Sequence, residues 1–115
     1  MGWPSPAEEE LVDILSWDEY LIKHPAQTYL IRVSADSMIE AGIHPGDLII
    51  VERGRSPKDR DIVIAQVDGE WTMKYYEKHG NAVRLVPANK NYSPIIPQRE
   101  FVMGGVVTAV VRKYK

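Results

Sequence analysis

From Thr28 onward, runs rich in Val, Ile, Tyr and Thr are cut by short clusters of Gly, Pro, Asn and Asp. Such runs predict strands near 28–33, 47–52, 61–67, 70–78, 82–87 and 101–113. Asp68-Gly69, between two of them, is a hairpin pair, because both central positions of a tight two-residue turn favour residues that tolerate positive φ. Upstream the pattern is weaker. Asp18 has the side chain of an N-cap, and a short helix carrying Tyr20, Leu21 and Ile22 is expected to stop before Pro25. Glu8–Glu10 followed by Leu11–Leu15 reads as a strand or as a helix start, and the pattern does not choose between them. Residues 1–7 carry two prolines, a glycine and a serine, and read as extended chain. The expected organisation is an N-terminal arm over residues 1–10 and a single domain over 11–115. Its fold class is mostly β: a curled antiparallel sheet with one or two short helices.

Composition narrows the class of molecule. At 115 residues the chain has the size of one domain with a real core. Its 44% hydrophobic and 26% charged residues are those of an ordinary globular protein. No apolar run approaches the roughly 20 residues that a spanning helix needs, and no basic-then-apolar leader opens the sequence, so a cytoplasmic location and no membrane contact are expected. The absence of cysteine excludes disulfides and thiolate metal sites. A net charge of −2 argues against a broad phosphate-binding face, so no direct nucleic-acid binding is expected.

Two stretches carry candidate chemistry. Ser34-Ala35-Asp36-Ser37-Met38 forms a small, polar corner after a predicted strand, and Pro45-Gly46 supplies a tight reversal just beyond it. Lys74 stands among Trp71, Met73 and Tyr75 in another predicted strand. A free lysine titrates near ~10.4 and is a poor base at neutral pH. Apolar burial disfavours the ammonium, and a neutral amine then accepts a proton from a serine as it attacks a carbonyl. Main-chain N–H groups near 35–37 would hold the oxyanion. Spacing alone leaves this open against a plainer reading, in which Ser37 caps a turn and Lys74 extends its ammonium to water.

The run Ser34-Ala35-Asp36-Ser37-Met38-Ile39-Glu40-Ala41-Gly42-Ile43, then Gly46-Asp47-Leu48-Ile49-Ile50-Val51 and Asp61–Lys74, resembles the peptidase domain shared by LexA repressors and UmuD mutagenesis proteins. Gly2-Trp3-Pro4-Ser5-Pro6-Ala7, Leu85-Val86-Pro87-Ala88-Asn89 with Tyr92-Ser93-Pro94-Ile95, and Gly105-Val106-Val107 resemble the UmuD branch. The resemblance covers nearly the whole chain. It implies the curled β fold of the LexA and signal-peptidase type, with Ser37 as nucleophile, Lys74 as general base, and neither metal nor cofactor. It also implies a remnant of the self-cleavage site at Met1 and Gly2, as though the chain began where the family's N-terminal tail is cut. A naturally short homologue is the other reading of that start. Two departures stand out: Ala35 and Arg60 occupy positions where the family usually has glycine.

The same resemblance implies partners. UmuD-like chains pair as homodimers, join a UmuC-type subunit to make an error-prone Y-family polymerase for translesion synthesis in the SOS response, and are processed on RecA–single-stranded DNA filaments. The competing expectation is a Ser–Lys peptidase that cuts a partner chain in trans without a polymerase role. A tail-less form would sit idle unless offered a tail. A LexA-type repressor would need a DNA-binding domain ahead of this segment, and a signal peptidase would need a membrane anchor. His24, His44 and His79 lack metal-ligand spacing, and Asp36 reads as a turn-stabilising carboxylate. Arg112-Lys113-Tyr114-Lys115 reads as a solvated basic tail. Trp71 is expected in the core, while Trp3 on the arm suits packing against a partner.

Overall fold

The β-branched runs form six strands in a computed structural model that describes residues 12–13, 16–98 and 101–115. They are β1 Thr28–Arg32, β2 Leu48–Glu52, β3 Ile62–Val67, β4 Glu70–His79, β5 Ala82–Val86 and β6 Phe101–Val111. All pair antiparallel, in the order β1-β2-β6-β3-β4-β5, so the sheet is open and the last strand in sequence lies inside it. This is the mostly β, antiparallel architecture expected of the LexA type. The expected arm, with Met1, Gly2 and Trp3, lies outside the described residues, as does most of the undecided stretch: Glu8–Leu11, Ile14 and Leu15.

Local chemistry accounts for the connections. Val67 faces Glu70 across Asp68 and Gly69, whose φ values of 49° and 88° are both positive, as the tight hairpin requires. β6 is bulged twice: its register shifts opposite Ile50/Val51 and again opposite Ile64/Ala65. Bulges bend a strand and increase its twist, which is how one long strand serves both halves of a curled sheet. The second bulge uses Gly105, at φ 153°; a Cβ there would lie 2.6 Å from Val51 Cγ1 and 2.9 Å from the Glu52 carbonyl.

The buried strand residues fall into two clusters, one on each face of the sheet. Val33, Met38, Ile43, Ile49, Val51, Ile64 and Ala88 make one buried cluster. Val63, Ala65, Val67, Tyr76, Leu85 and Val106 make the other. β3 divides its residues between them by strict alternation, which is why its sequence is almost continuously apolar.

Two expectations need correction. The short helix α1, Trp17–Leu21, is capped by Ser16, whose hydroxyl accepts from the Glu19 amide at 3.1 Å. Asp18 sits in the first turn instead, where a carboxylate complements the helix dipole. Arg112 is not part of a solvated tail: its guanidinium donates to both carboxylate oxygens of Asp47, at 2.7 and 2.6 Å, and to the Gly42 carbonyl at 2.7 Å. Asp47 is only 2% exposed, so a buried carboxylate had to find such a partner.

Candidate active site

Three short-range devices build the corner that carries Ser37. After β1, the Val33 amide donates to the Asp47 carbonyl at 2.8 Å, and the Gly46 amide returns a bond to the Val33 carbonyl at 2.8 Å. Pro45-Gly46 makes the reversal between them, with Gly46 at φ 94°. A single 3-10 turn, Ile39–Ala41, follows the serine and ends at Gly42, which is left-handed at φ 82°. Asp47 closes the loop by accepting from the His44 amide at 2.8 Å. Arg112 and that amide together hold its carboxyl well below the usual carboxylate range.

Lys74 comes to this corner from β4. Its Nζ donates to Ser37 Oγ at 3.2 Å, to Thr72 Oγ1 at 2.5 Å and to the Met73 carbonyl at 3.1 Å. Ser37 and Lys74 are 7% and 6% exposed, so the sequence's polar corner and its strand lysine meet in a largely dry place. Burial pulls the Lys74 pKa below the ordinary lysine value. Ser37 Oγ also lies 3.5 Å from the Met73 carbonyl, too long for a firm hydrogen bond, so its proton is not committed there. Among the described residues, the amide of Ser37 has no acceptor.

The pair opens into a groove of about 340 Å³, lined by Ile31, Val33, Ala35, Ile49, Ile64, Met73 and Tyr92 along with the pair itself. Beside it, β3 pairs with residues 70–75 of β4, while β5 pairs only with residues 75–79 and leaves the outer edge of residues 70–74 unpaired by that strand. Trp71 corrects the expectation of a core tryptophan: it is 56% exposed and lines the groove. Ala35 lies at the groove with no positive φ, so its methyl costs the backbone nothing there. Arg60 does take positive φ, 73°, which explains why glycine suits that position. Its side chain is used at the surface, pairing with Glu77 at 2.7 Å and stacking over Tyr75. His24 and His79 stand 3.8 Å from Glu52 and Glu77 at the surface, and among the described residues no acidic or histidine cluster could hold a metal.

The reading of the sequence missed the segment behind the serine. The Ala88 amide donates to the Ser37 carbonyl at 2.8 Å, and Asn89 Nδ2 donates to the Asp36 carbonyl at 2.8 Å. The Tyr92 hydroxyl donates to Asp36 Oδ1 at 2.6 Å, so Asp36 ties the corner to this segment. Proline and asparagine at 87–89 signal a turn, but nothing local says which part of the chain the turn grips.

Comparison with known proteins agrees with the geometry. A Peptidase S24-like family model matches residues 1–108. Protein SamA of Salmonella typhimurium is 40% identical over 112 residues, which are 97% of this chain and 79% of SamA. The LexA repressor of Clostridium perfringens is 38% identical over 98% of this chain and 55% of the repressor. That of Clostridium botulinum is 39% identical over 98% and 56%. The chain therefore spans about half the length of the LexA repressors it matches. By motif, fold and these matches, the chain belongs to the Peptidase S24-like family, the self-cleaving serine peptidases of the LexA and UmuD type.

Proposed function

We propose that this domain hydrolyses a peptide bond with Ser37 as nucleophile and Lys74 as general base, on an extended segment laid in the groove beside β4. The observation that carries this reading is the 3.2 Å approach of a buried amine to a serine hydroxyl. Once Lys74 is neutral, its lone pair accepts the Ser37 proton as Oγ attacks the scissile carbonyl. The Ser37 amide and its neighbours stabilise the oxyanion. The lysine ammonium then gives its proton to the departing amine, leaving an ester on Ser37. Water, deprotonated by Lys74 in turn, releases the acid and restores the hydroxyl. Ser–Lys pairs run the same logic as the serine triad with a single residue in place of two.

The test mixes this chain with a longer family member inactivated at its own serine, at raised pH. Cleavage of the partner is expected, and Ser37→Ala or Lys74→Ala each lowers it by about 10³-fold or more. Cleavage that survives either change refutes the assigned roles.

A second reading concerns biological setting. The segment Leu85–Asn89 with Tyr92 resembles the UmuD branch, and this supports a homodimeric accessory subunit of a Y-family polymerase in the cytoplasm, with a UmuC-type subunit as partner and RecA filaments as the trigger of processing. Co-purification with such a polymerase subunit supports that role; failure to associate removes it and leaves the peptidase that acts on a partner chain.

A further inference from the structure

The carbonyls of the two peptide bonds on either side of Ser37 are gripped from behind by consecutive residues of one segment. Asn89 Nδ2 holds the Asp36 carbonyl at 2.8 Å, and the Ala88 amide holds the Ser37 carbonyl at 2.8 Å. The same segment is itself anchored: the Glu40 amide donates to the Ala88 carbonyl at 2.7 Å, and the Lys90 amide to Glu40 Oε2 at 3.0 Å. Asn89 is 7% exposed, and its Oδ1 is occupied by the Asn91 amide at 2.9 Å. Its side chain is thus fixed at both ends, with one end aimed at a backbone carbonyl.

A planar trans peptide unit makes this more than a brace. The carbonyl of Asp36 and the N–H of Ser37 belong to one rigid plane and point in opposite directions. Ser37 lines the groove and Asn89 does not. Holding the Asp36 oxygen toward Asn89 therefore turns the Ser37 N–H away from it, and among the described residues that N–H has no acceptor. Donors that stabilise an oxyanion work because their direction is set before charge develops. Resting on the peptidase reading above, we infer that Asn89 is a positioning residue: it fixes the Ser37 amide as an oxyanion donor without touching substrate.

Asn89→Asp is the sharpest probe, because it keeps the shape and the acceptor for the Asn91 amide while replacing the donor with a repelling oxygen. Asn89→Ala is the second variant. Partner-chain cleavage is measured across pH, alongside thermal unfolding and the amide resonances of the folded protein. The expected result for folded variants is a loss in kcat of about 10- to 100-fold, with KM and the pH midpoint set by Lys74 unmoved. The Ser37 amide resonance shifts as well, while those of Val63 and Ala65 stay in place. Wild-type kcat in a folded variant, a loss confined to KM, or an unmoved Ser37 resonance overturns the inference. Cleavage that ignores Ser37→Ala defeats the peptidase reading instead. If the wild-type chain cuts nothing, that reading also fails, and the Ser37 resonance alone decides whether Asn89 holds the peptide plane.

Discussion

Lys74 couples chemistry to stability through one desolvated amine. Its folded pKa is depressed, so between that value and the ordinary 10.5 the unfolded chain binds more protons than the folded one. Stability from this group therefore rises with pH across that window, and below it the buried ammonium is a standing cost. If Lys74 serves as the proposed base, the cleavage rate is expected to rise in the same direction of pH as the amine becomes neutral. Lys74→Met, similar in length and uncharged, is expected to abolish cleavage and to raise the urea midpoint at neutral pH. Its advantage over wild type should shrink as the solution is made alkaline; an advantage independent of pH would show that the ammonium carries no desolvation penalty. Pattern marks Ser37 and Lys74 only as oddities, a small polar corner and a cation in an apolar strand, and their expected roles come from the resemblance to the LexA and UmuD family. The core expectation fails for Trp71 because its ring lies over Gly104 at the groove, where it stays 56% exposed, and nothing local in the sequence places it there.

At the level of elements, the bulged strand β6 sets the curl that lets β1 and β4 share one groove. Gly105 is the tightest point, since any side chain there meets Val51 and the Glu52 carbonyl at under 3 Å. Gly105→Ala is expected to destabilise the fold by about 2–4 kcal/mol from combined backbone strain and overpacking, read as a lowered denaturation midpoint. A neutral result would mean that the bulge relaxes freely. Strand positions were readable within a residue or two from β-branched runs. Strand order was not: nothing in residues 101–113 says that they slot between β2 and β3.

Across the whole molecule, the Asp47–Arg112 pair ties the end of β6 to the loop that shapes the serine corner. The carboxyl's pKa is held below its ordinary 3.8, so its contribution is complete above that pH and fades as pH falls toward the folded value. Arg112→Ala leaves a buried carboxylate short of its main partner. It is expected to lower stability at neutral pH and to flatten the further loss on acidification, both measurable by circular dichroism. An unchanged acid profile would show that the His44 amide alone sustains Asp47. No described helix is long and apolar enough to cross a membrane.

Residue order alone determined the elements, the Asp68-Gly69 turn, and two chemically odd positions, because φ preferences and hydrophobic alternation act over a few neighbouring residues. Long-range packing decided the rest: that Ser37 and Lys74, separated by 37 positions, share a dry groove; that Arg112 leaves its basic run for Asp47; and that Asn89 holds the peptide behind the serine. Those contacts follow from how a curled sheet orders its strands, and burial, which sets both the lysine's proton affinity and the carboxylate's need for a partner, exists only once the folded chain packs around them.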